Sequence, residues 1–211
     1  MKNSNVKANR KNILMLVETA LLTAIILVMT FTKLGYIAVG PLVLSVMMVP
    51  VTIGAISLGP WIGAFLGLVF GVTSFMQCFM GDVLGSILVS SSMFKTFIVC
   101  IVPRVLAGLL TGLIFKACAK VDRKKGWSYV VTSICGPLLN TVFFLGFLSI
   151  FFWGLKFTPE QSTNLGGVNT VLQTVIAIAL GINAPIEVVV GGILSSGISK
   201  ALAVAMKKMK I

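Results

Sequence analysis

Residues 127–153 read WSYVVTSICGPLLNTVFFLGFLSIFFW, and none of these 27 residues is charged. About 20 mostly apolar residues in a helix are enough to cross the hydrocarbon core of a bilayer. A charged side chain in the middle of such a helix is costly, so an uncharged run of this length is typical of a membrane span. The stretch therefore predicts a transmembrane helix.

Working outward from this stretch, the same pattern recurs along the chain. The predicted helices are 13–32, 42–58, 61–76, 96–117, 127–153 and 185–206. A shorter apolar stretch, 168–180, has about 13 residues and favours an interfacial or re-entrant piece over a crossing. The prediction is an all-α, polytopic membrane protein with six transmembrane helices in a single domain over residues 1–211.

The composition agrees with lipid as the main solvent. The chain is 57% hydrophobic and only 10% charged, with a mean hydropathy of +1.07, whereas soluble domains are about 25% charged. A net charge of +12 is also seen in nucleic-acid-binding proteins, but here the basic residues form no stripe with interleaved aromatic residues. Nucleic-acid binding is therefore not expected.

The positions of the basic residues predict the orientation in the membrane. Lysine and arginine are concentrated in cytoplasmic segments of membrane proteins. With the N-terminus in the cytoplasm, the inner segments carry 13 of the 17 basic residues. These are Lys2, Lys7, Arg10, Lys11, Lys116, Lys120, Arg123, Lys124, Lys125, Lys200, Lys207, Lys208 and Lys210. Both termini are therefore predicted to be cytoplasmic.

Two patterns of small residues mark helix faces that allow close approach. Ala20 and Ala24 are four residues apart on the first predicted helix, and Gly63, Gly67 and Gly71 repeat the spacing on the third. Small residues at this spacing let helix backbones pack closely in lipid. Each pattern is compatible with internal packing or with docking of a partner membrane protein.

Polar residues inside apolar segments usually face a cavity or a partner. A set of them clusters toward the predicted outer side: Tyr36, Ser74, Gln77, Arg104, Asn140, Asn183 and Glu187. Arg104 offers a planar fork that matches a carboxylate or a phosphate. Alternatively, Arg104 pairs with Glu187 or Asp82, Asn140 forms a hydrogen bond between helices, and Gln77 and Tyr36 lie at the interface.

No motif for catalysis is present. The sequence has no Walker motif, no HExxH, no nucleophile elbow, no paired acidic residues and no histidine, and its four cysteines are scattered singly. We therefore expect neither an enzyme nor a resident cofactor or metal. A small helix bundle with a polar pocket and no ATP-binding motif is typical of a subunit that captures a substrate.

Several segments in order resemble one family. Segments 34–41 (LGYIAVGP), 49–60 (VPVTIGAISLGP) and 63–74 (GAFLGLVFGVTS) resemble the substrate-binding S components of energy-coupling factor (ECF) vitamin transporters. Segments 103–108, 140–141 and 183–187 look like later blocks of that family. The chain is most similar to the pantothenate branch. It departs from related proteins at Met47-Met48 and at Gln77-Cys78-Phe79.

The resemblance implies a fold of six helices with an outward vitamin pocket, capped by the loop between the first two helices. Arg104, Asn140, Asn183 and Glu187 become candidate ligand contacts. The resemblance also implies a bacterial cytoplasmic membrane protein that topples in the membrane to deliver its vitamin. Its partners would be a membrane coupling protein, docked on the strip of Ala20 and Ala24, and two cytosolic ATPases.

The expected function is uptake of a small water-soluble vitamin, most directly pantothenate, whose carboxylate, amide and hydroxyl groups suit Arg104 and the amide side chains. The alternatives are riboflavin or another vitamin or vitamin precursor. An alternative from a different functional class is a non-transporting scaffold subunit of a membrane assembly, such as a cell-shape complex. A scaffold subunit has no reason to keep a polar pocket.

Overall fold

The computed structural model describes residues 2–32, 36–39, 42–80, 83–122, 126–154 and 184–208. This part of the chain is helical except for one antiparallel hairpin, in which Tyr36 pairs with Ser45 and Val39 with Leu42. The elements are α1 (Lys2–Phe31), β1 (Tyr36–Val39), β2 (Leu42–Ser45), α2 (Met48–Ser57), α3 (Pro60–Gln77), α4 (Val83–Ser91), α5 (Met93–Val121), α6 (Trp127–Phe152) and α7 (Ala184–Lys208). The stretch 168–180 lies outside the described residues.

In the part of the chain that the structure describes, four helices are long and apolar enough to cross a membrane. They are residues Asn12–Phe31 of α1, and α3, α5 and α6 over their full lengths. Shorter apolar helices cover Met48–Ser57 and Val188–Leu202. Large apolar side chains point outward along the bundle, as Trp61 and Ile150 do at 79% and 75% exposure. Such a surface fits lipid.

The structure corrects the predicted helix over residues 42–58. Residues 42–45 form a strand instead, because their backbone groups pair with residues 36–39, and α2 begins only at Met48. A short apolar run does not distinguish a strand from a helix by its pattern. At 1.5 Å per residue, the ten residues of α2 extend about 15 Å, half of a bilayer core of about 30 Å. Every residue from Met48 to Ile56 is buried in the bundle.

Two further boundaries differ from the predictions. The polar stretch over residues 77–95 contains the short helix α4, and α5 begins at Met93 and not at residue 96. Serine-rich composition lowers helix propensity only weakly, and tertiary contacts commonly override it. Here Leu88 of α4 packs in a cluster with Val99 of α5 and with Leu148 and Phe152 of α6.

The glycines of α3 let this helix run antiparallel and very close to α5. A Cβ atom on Gly63 would lie 2.5 Å from the carbonyl oxygen of Gly108, and one on Gly71 would lie 3.0 Å from that of Cys100. Between these points Gly67 faces the backbone of Arg104. The glycine strip of α3 is therefore used for internal packing.

Helices α5 and α6 are also antiparallel, because Val99 near the start of α5 packs with Leu148 near the end of α6. The rings of Phe115 in α5 and Tyr129 in α6 are 5.0 Å apart, and Gly191 in α7 faces Pro137 in α6. We call the end where α5 stops and α6 begins the Asp122 end, because Asp122 Oδ2 accepts a hydrogen bond of 3.1 Å from the backbone N–H of Ser128 there. We call the other end, where α1 and α3 stop, the Gln77 end.

The main core lies around α2. Leu22 and Ile26 of α1, Val51 of α2, and Leu66 and Phe70 of α3 belong to one buried cluster. Met47 and Met48, where the sequence departs from the family pattern, are buried in the same cluster at 0% and 2% exposure. Because both methionines are packed inside, they shape the interior of the bundle beneath the hairpin.

Candidate functional site

Arg104 lies inside the bundle because of the proline that precedes it. Pro103 has no backbone N–H, so the helical hydrogen bond to the carbonyl of Val99, four residues earlier, is not made. The guanidinium of Arg104 takes its place: Nη1 donates to the Val99 carbonyl oxygen at 2.8 Å. The backbone carbonyl that Pro103 leaves without a donor thus holds the guanidinium of Arg104, a charged side chain that is only 8% exposed.

Two aromatic rings hold the guanidinium from the sides. Its Cζ atom lies 5.5 Å from the ring centroid of Phe70 in α3 and 4.6 Å from that of Phe144 in α6. A cation within about 6 Å of a ring face is attracted by the quadrupole of the ring. Arg104 is therefore oriented by three elements, and its Nε atom is buried without a hydrogen-bond partner in the described part of the chain.

Asn140 supplies a buried acceptor on α6, the helix that also carries Phe144. It lies on α6 four residues before Phe144, hence about 6 Å along the axis, and is 8% exposed. Its Oδ1 atom is buried and has no hydrogen-bond partner among the described residues. An unsatisfied buried polar atom costs about 1–3 kcal/mol. The alternative of a hydrogen bond from another helix to this oxygen is not observed in the described part.

Ser74 and Gln77 lie farther along the bundle. The guanidinium of Arg104 lies 5.5 Å from the ring of Phe70, and Ser74 and Gln77 follow Phe70 on α3 by about 6 Å and 10 Å toward the Gln77 end. Gln77 Nε2 donates to the carbonyl oxygen of Thr30, at the end of α1, at 3.4 Å. Asn140 and Ser74 thus each lie about one helical turn from an aromatic residue that contacts the guanidinium of Arg104, and Gln77 lies about two turns from Phe70 toward the Gln77 end.

The other predicted site residues are only partly described. Tyr36 lies on β1 of the hairpin, and Glu187 lies in the first turns of α7, but their side chains, Asn183 and Asp82 lie outside the described residues. The predicted pairing of Arg104 with Glu187 or Asp82 therefore also lies outside them.

Sequence reasoning missed the aromatic partners Phe70 and Phe144, and the role of the Val99 carbonyl. One signal for the latter was present in the sequence. A proline inside a long helix leaves the carbonyl four residues earlier without its usual donor, and Arg104, directly after Pro103, supplies one. No local signal distinguished Phe70 and Phe144 from the 12 other phenylalanines of the chain.

The predicted docking strip faces outward. Ala20 and Ala24 of α1 are both exposed, whereas Leu22, Ile26 and Thr30 on another face of the same helix are buried. The two alanines therefore take no part in the internal packing that the structure describes. They leave a flat strip on the outer face of α1.

Both the sequence and the fold are similar to those of known proteins. The family described as "ECF transporter, substrate-specific component" matches residues 14–205. A search of curated proteins gives no significant match. Three chains of solved structures match. One is ThiT from Listeria monocytogenes, at 22% identity and a TM-score of 0.57, covering 90% of this chain and 96% of that one. At this identity the likeness shows the fold alone.

Proposed function

The chain belongs to the family of substrate-specific components of ECF transporters, and from this premise we propose that it captures pantothenate for uptake. As a member of this family it is a multi-pass membrane protein and a substrate-binding subunit. The choice of pantothenate rests on the chemistry of the buried polar region around Arg104 and Asn140.

One observation carries this proposal: within the described residues, a buried donor on α5 and a buried acceptor on α6 have no hydrogen-bond partner, and the guanidinium of the donor contacts Phe144, one helical turn after the acceptor residue. They are Arg104 Nε and Asn140 Oδ1. Arginine has five N–H donors, and one is used at the Val99 carbonyl. A carboxylate is a bidentate partner for such a fork, and Asn140 Oδ1 accepts from a hydroxyl or an amide N–H. Pantothenate carries all these groups.

We propose that the chain crosses the bacterial cytoplasmic membrane six times, with both termini in the cytoplasm. The antiparallel pairs α3–α5 and α5–α6 support this topology. The hairpin and α2 together would make the second crossing, which is acceptable in lipid because α2 is surrounded by protein. The hairpin would cap the vitamin pocket at the Gln77 end.

We further propose that the partners are a membrane coupling protein and two cytosolic ATPases, which would supply ATP hydrolysis. The exposed strip of Ala20 and Ala24 supports docking on α1, since small residues let a partner helix approach closely in lipid.

The first test is calorimetric titration of the full chain in detergent with pantothenate, riboflavin, thiamine and biotin. We expect pantothenate to bind most tightly. Tight binding of another vitamin would contradict the choice of pantothenate and leave vitamin capture in place. The absence of binding to any vitamin would contradict capture and favour the scaffold alternative.

The second test addresses Arg104. Loss of one partner of a buried charged pair costs about 2–5 kcal/mol, so Arg104→Ala should weaken pantothenate binding at least about 30-fold. In pantothenol an alcohol replaces the carboxylate. It should bind weakly to the wild-type chain and to Arg104→Ala, with little difference in affinity between the two. Lys95→Ala, which removes an exposed cation from the same helix, is the control. Equal losses for the two ligands in Arg104→Ala would show that Arg104 does not bind the carboxylate.

A further inference from the structure

Two thiols meet between α3 and α5 near the Gln77 end. The Sγ atoms of Cys78 and Cys100 are 3.9 Å apart, and the two residues are only 6% and 4% exposed. Side chains on a helix tilt toward its N-terminus. In antiparallel helices the two thiols therefore lean toward each other, and the hydrogen bond of 3.4 Å from the Cys78 thiol back to the Ser74 carbonyl shows this tilt.

The separation of the sulfur atoms distinguishes two kinds of chemistry. A disulfide bond is about 2.05 Å long, so the sulfurs would have to approach by about 1.9 Å. Metal–thiolate bonds are about 2.3 Å long, and two such bonds on sulfurs 3.9 Å apart enclose an angle of about 116°. This angle lies between tetrahedral and trigonal geometry. An ion held by two thiolates alone prefers a linear arrangement, in which bonds of about 2.3 Å place the sulfurs about 4.6 Å apart. The pair therefore has to open by roughly 0.7 Å at most, which is less than half of the approach that a disulfide requires.

We propose that Cys78 and Cys100 form a binding site for one thiophilic monovalent ion of the copper(I) class. Soft thiolate ligands select soft ions such as copper(I) over hard ones. The described residues hold no group of three or more histidine, cysteine or acidic side chains, and copper(I) is the soft ion that accepts so few ligands. Binding would release two protons: one ion and two thiols give a bis-thiolate complex with one negative charge.

The surroundings of the pair suit such a complex. Arg104 lies four residues after Cys100, on the same side of α5, and its positive charge offsets the single negative charge of the complex. The rings of Phe75, Phe79 and Phe97 form a chain of edge-to-face contacts at the Gln77 end, with centroids 5.2 and 5.3 Å apart. Apolar rings there reduce competition by water for the ion.

The experiment uses the full chain in detergent, reduced and free of oxygen, with Cys118→Ser and Cys135→Ser. These substitutions remove the two other thiols, which are half-buried. Copper(I) is titrated in the presence of a coloured copper(I) chelator. We expect the protein to withhold one equivalent from the chelator, and its unfolding temperature to rise on loading because the ion binds the folded state.

Adding Cys78→Ser or Cys100→Ser should abolish both effects. Serine is close in size to cysteine, and the unfolding temperature of each metal-free variant shows whether it is folded. Three results would overturn the proposal. They are no copper withheld by the parent, copper withheld equally by a folded variant without Cys78 or Cys100, or an intact mass two hydrogens lower that shows a disulfide in place of metal binding.

Discussion

One of the tightest backbone contacts between α3 and α5 lies at Gly67, opposite the backbone of Arg104. A methyl group there would overlap the carbonyl oxygen of Arg104 and lie 2.9 Å from its carbonyl carbon and 3.2 Å from the Cα atom of Val105. Ordinary contact begins at 3.4 Å, so the carbonyl carbon alone requires a shift of 0.5 Å. All these atoms are backbone, so rotation of a side chain does not relieve the overlap and the helices must separate.

We expect Gly67→Ala to destabilise the protein and to weaken vitamin binding together. Overpacking of a tight core costs about 1–3 kcal/mol. Since 1 kcal/mol corresponds to about 2–4 °C in a chain of this size, the unfolding temperature should fall by several degrees. The shift also moves Arg104 by about half an ångström. Loss of about one charge-assisted hydrogen bond of 1.5–3 kcal/mol weakens binding about tenfold or more.

The assay combines thermal unfolding in detergent with calorimetric binding of the vitamin identified in the panel. Gly197→Ala in α7 and Gly146→Ala in α6 are matched controls, because a Cβ atom at either position meets nothing within 4 Å. Alanine has a higher helix propensity than glycine, by up to about 1 kcal/mol, so these two substitutions should leave the stability of the protein unchanged or raise it. If Gly67→Ala unfolds and binds like the controls, α3 and α5 are not packed backbone to backbone and the reasoning fails.

Three other substitutions test separate features. Pro103→Ala supplies a backbone N–H to the Val99 carbonyl, a hydrogen bond worth up to about 3 kcal/mol. We expect a higher unfolding temperature and, by calorimetry, vitamin binding weaker by about fivefold or more. Unchanged binding would contradict the role of the Val99 carbonyl in holding Arg104. Asp122→Ala removes the acceptor at the start of α6 and should cost about 0.5–2 kcal/mol, seen as earlier thermal unfolding, whereas Lys120→Ala serves as the control. Ala20→Trp and Ala24→Trp should abolish uptake in cells and leave binding to the purified chain intact; normal uptake by both would exclude docking on this strip.

Arg104 shows how far the sequence led toward the candidate site. An arginine within an apolar span is costly in lipid, so the residue was predicted to face the interior, and it is buried. Its neighbours were not predictable in the same way, because Phe70 and Phe144 are separated from it by 34 and 40 positions and meet it only when three helices assemble. Ser74 and Gln77 share its apolar surroundings in the sequence but lie about one and two turns beyond Phe70, toward the Gln77 end.

The sequence by itself determined the membrane class, the long apolar helices α1, α3, α5 and α6, and membership of the family, because hydropathy belongs to each segment alone and the family blocks follow one another in order. Only the tertiary structure decided that residues 42–45 pair as a strand, since an isolated apolar stretch forms a helix or a strand equally well until a partner supplies its hydrogen bonds. The tertiary structure also decided which strip of small residues packs inside the bundle and which faces outward. Gly67 packs inside and Ala20 faces outward, although both belong to the same four-residue spacing, because which face of a helix is covered depends on the helices that lie beside it.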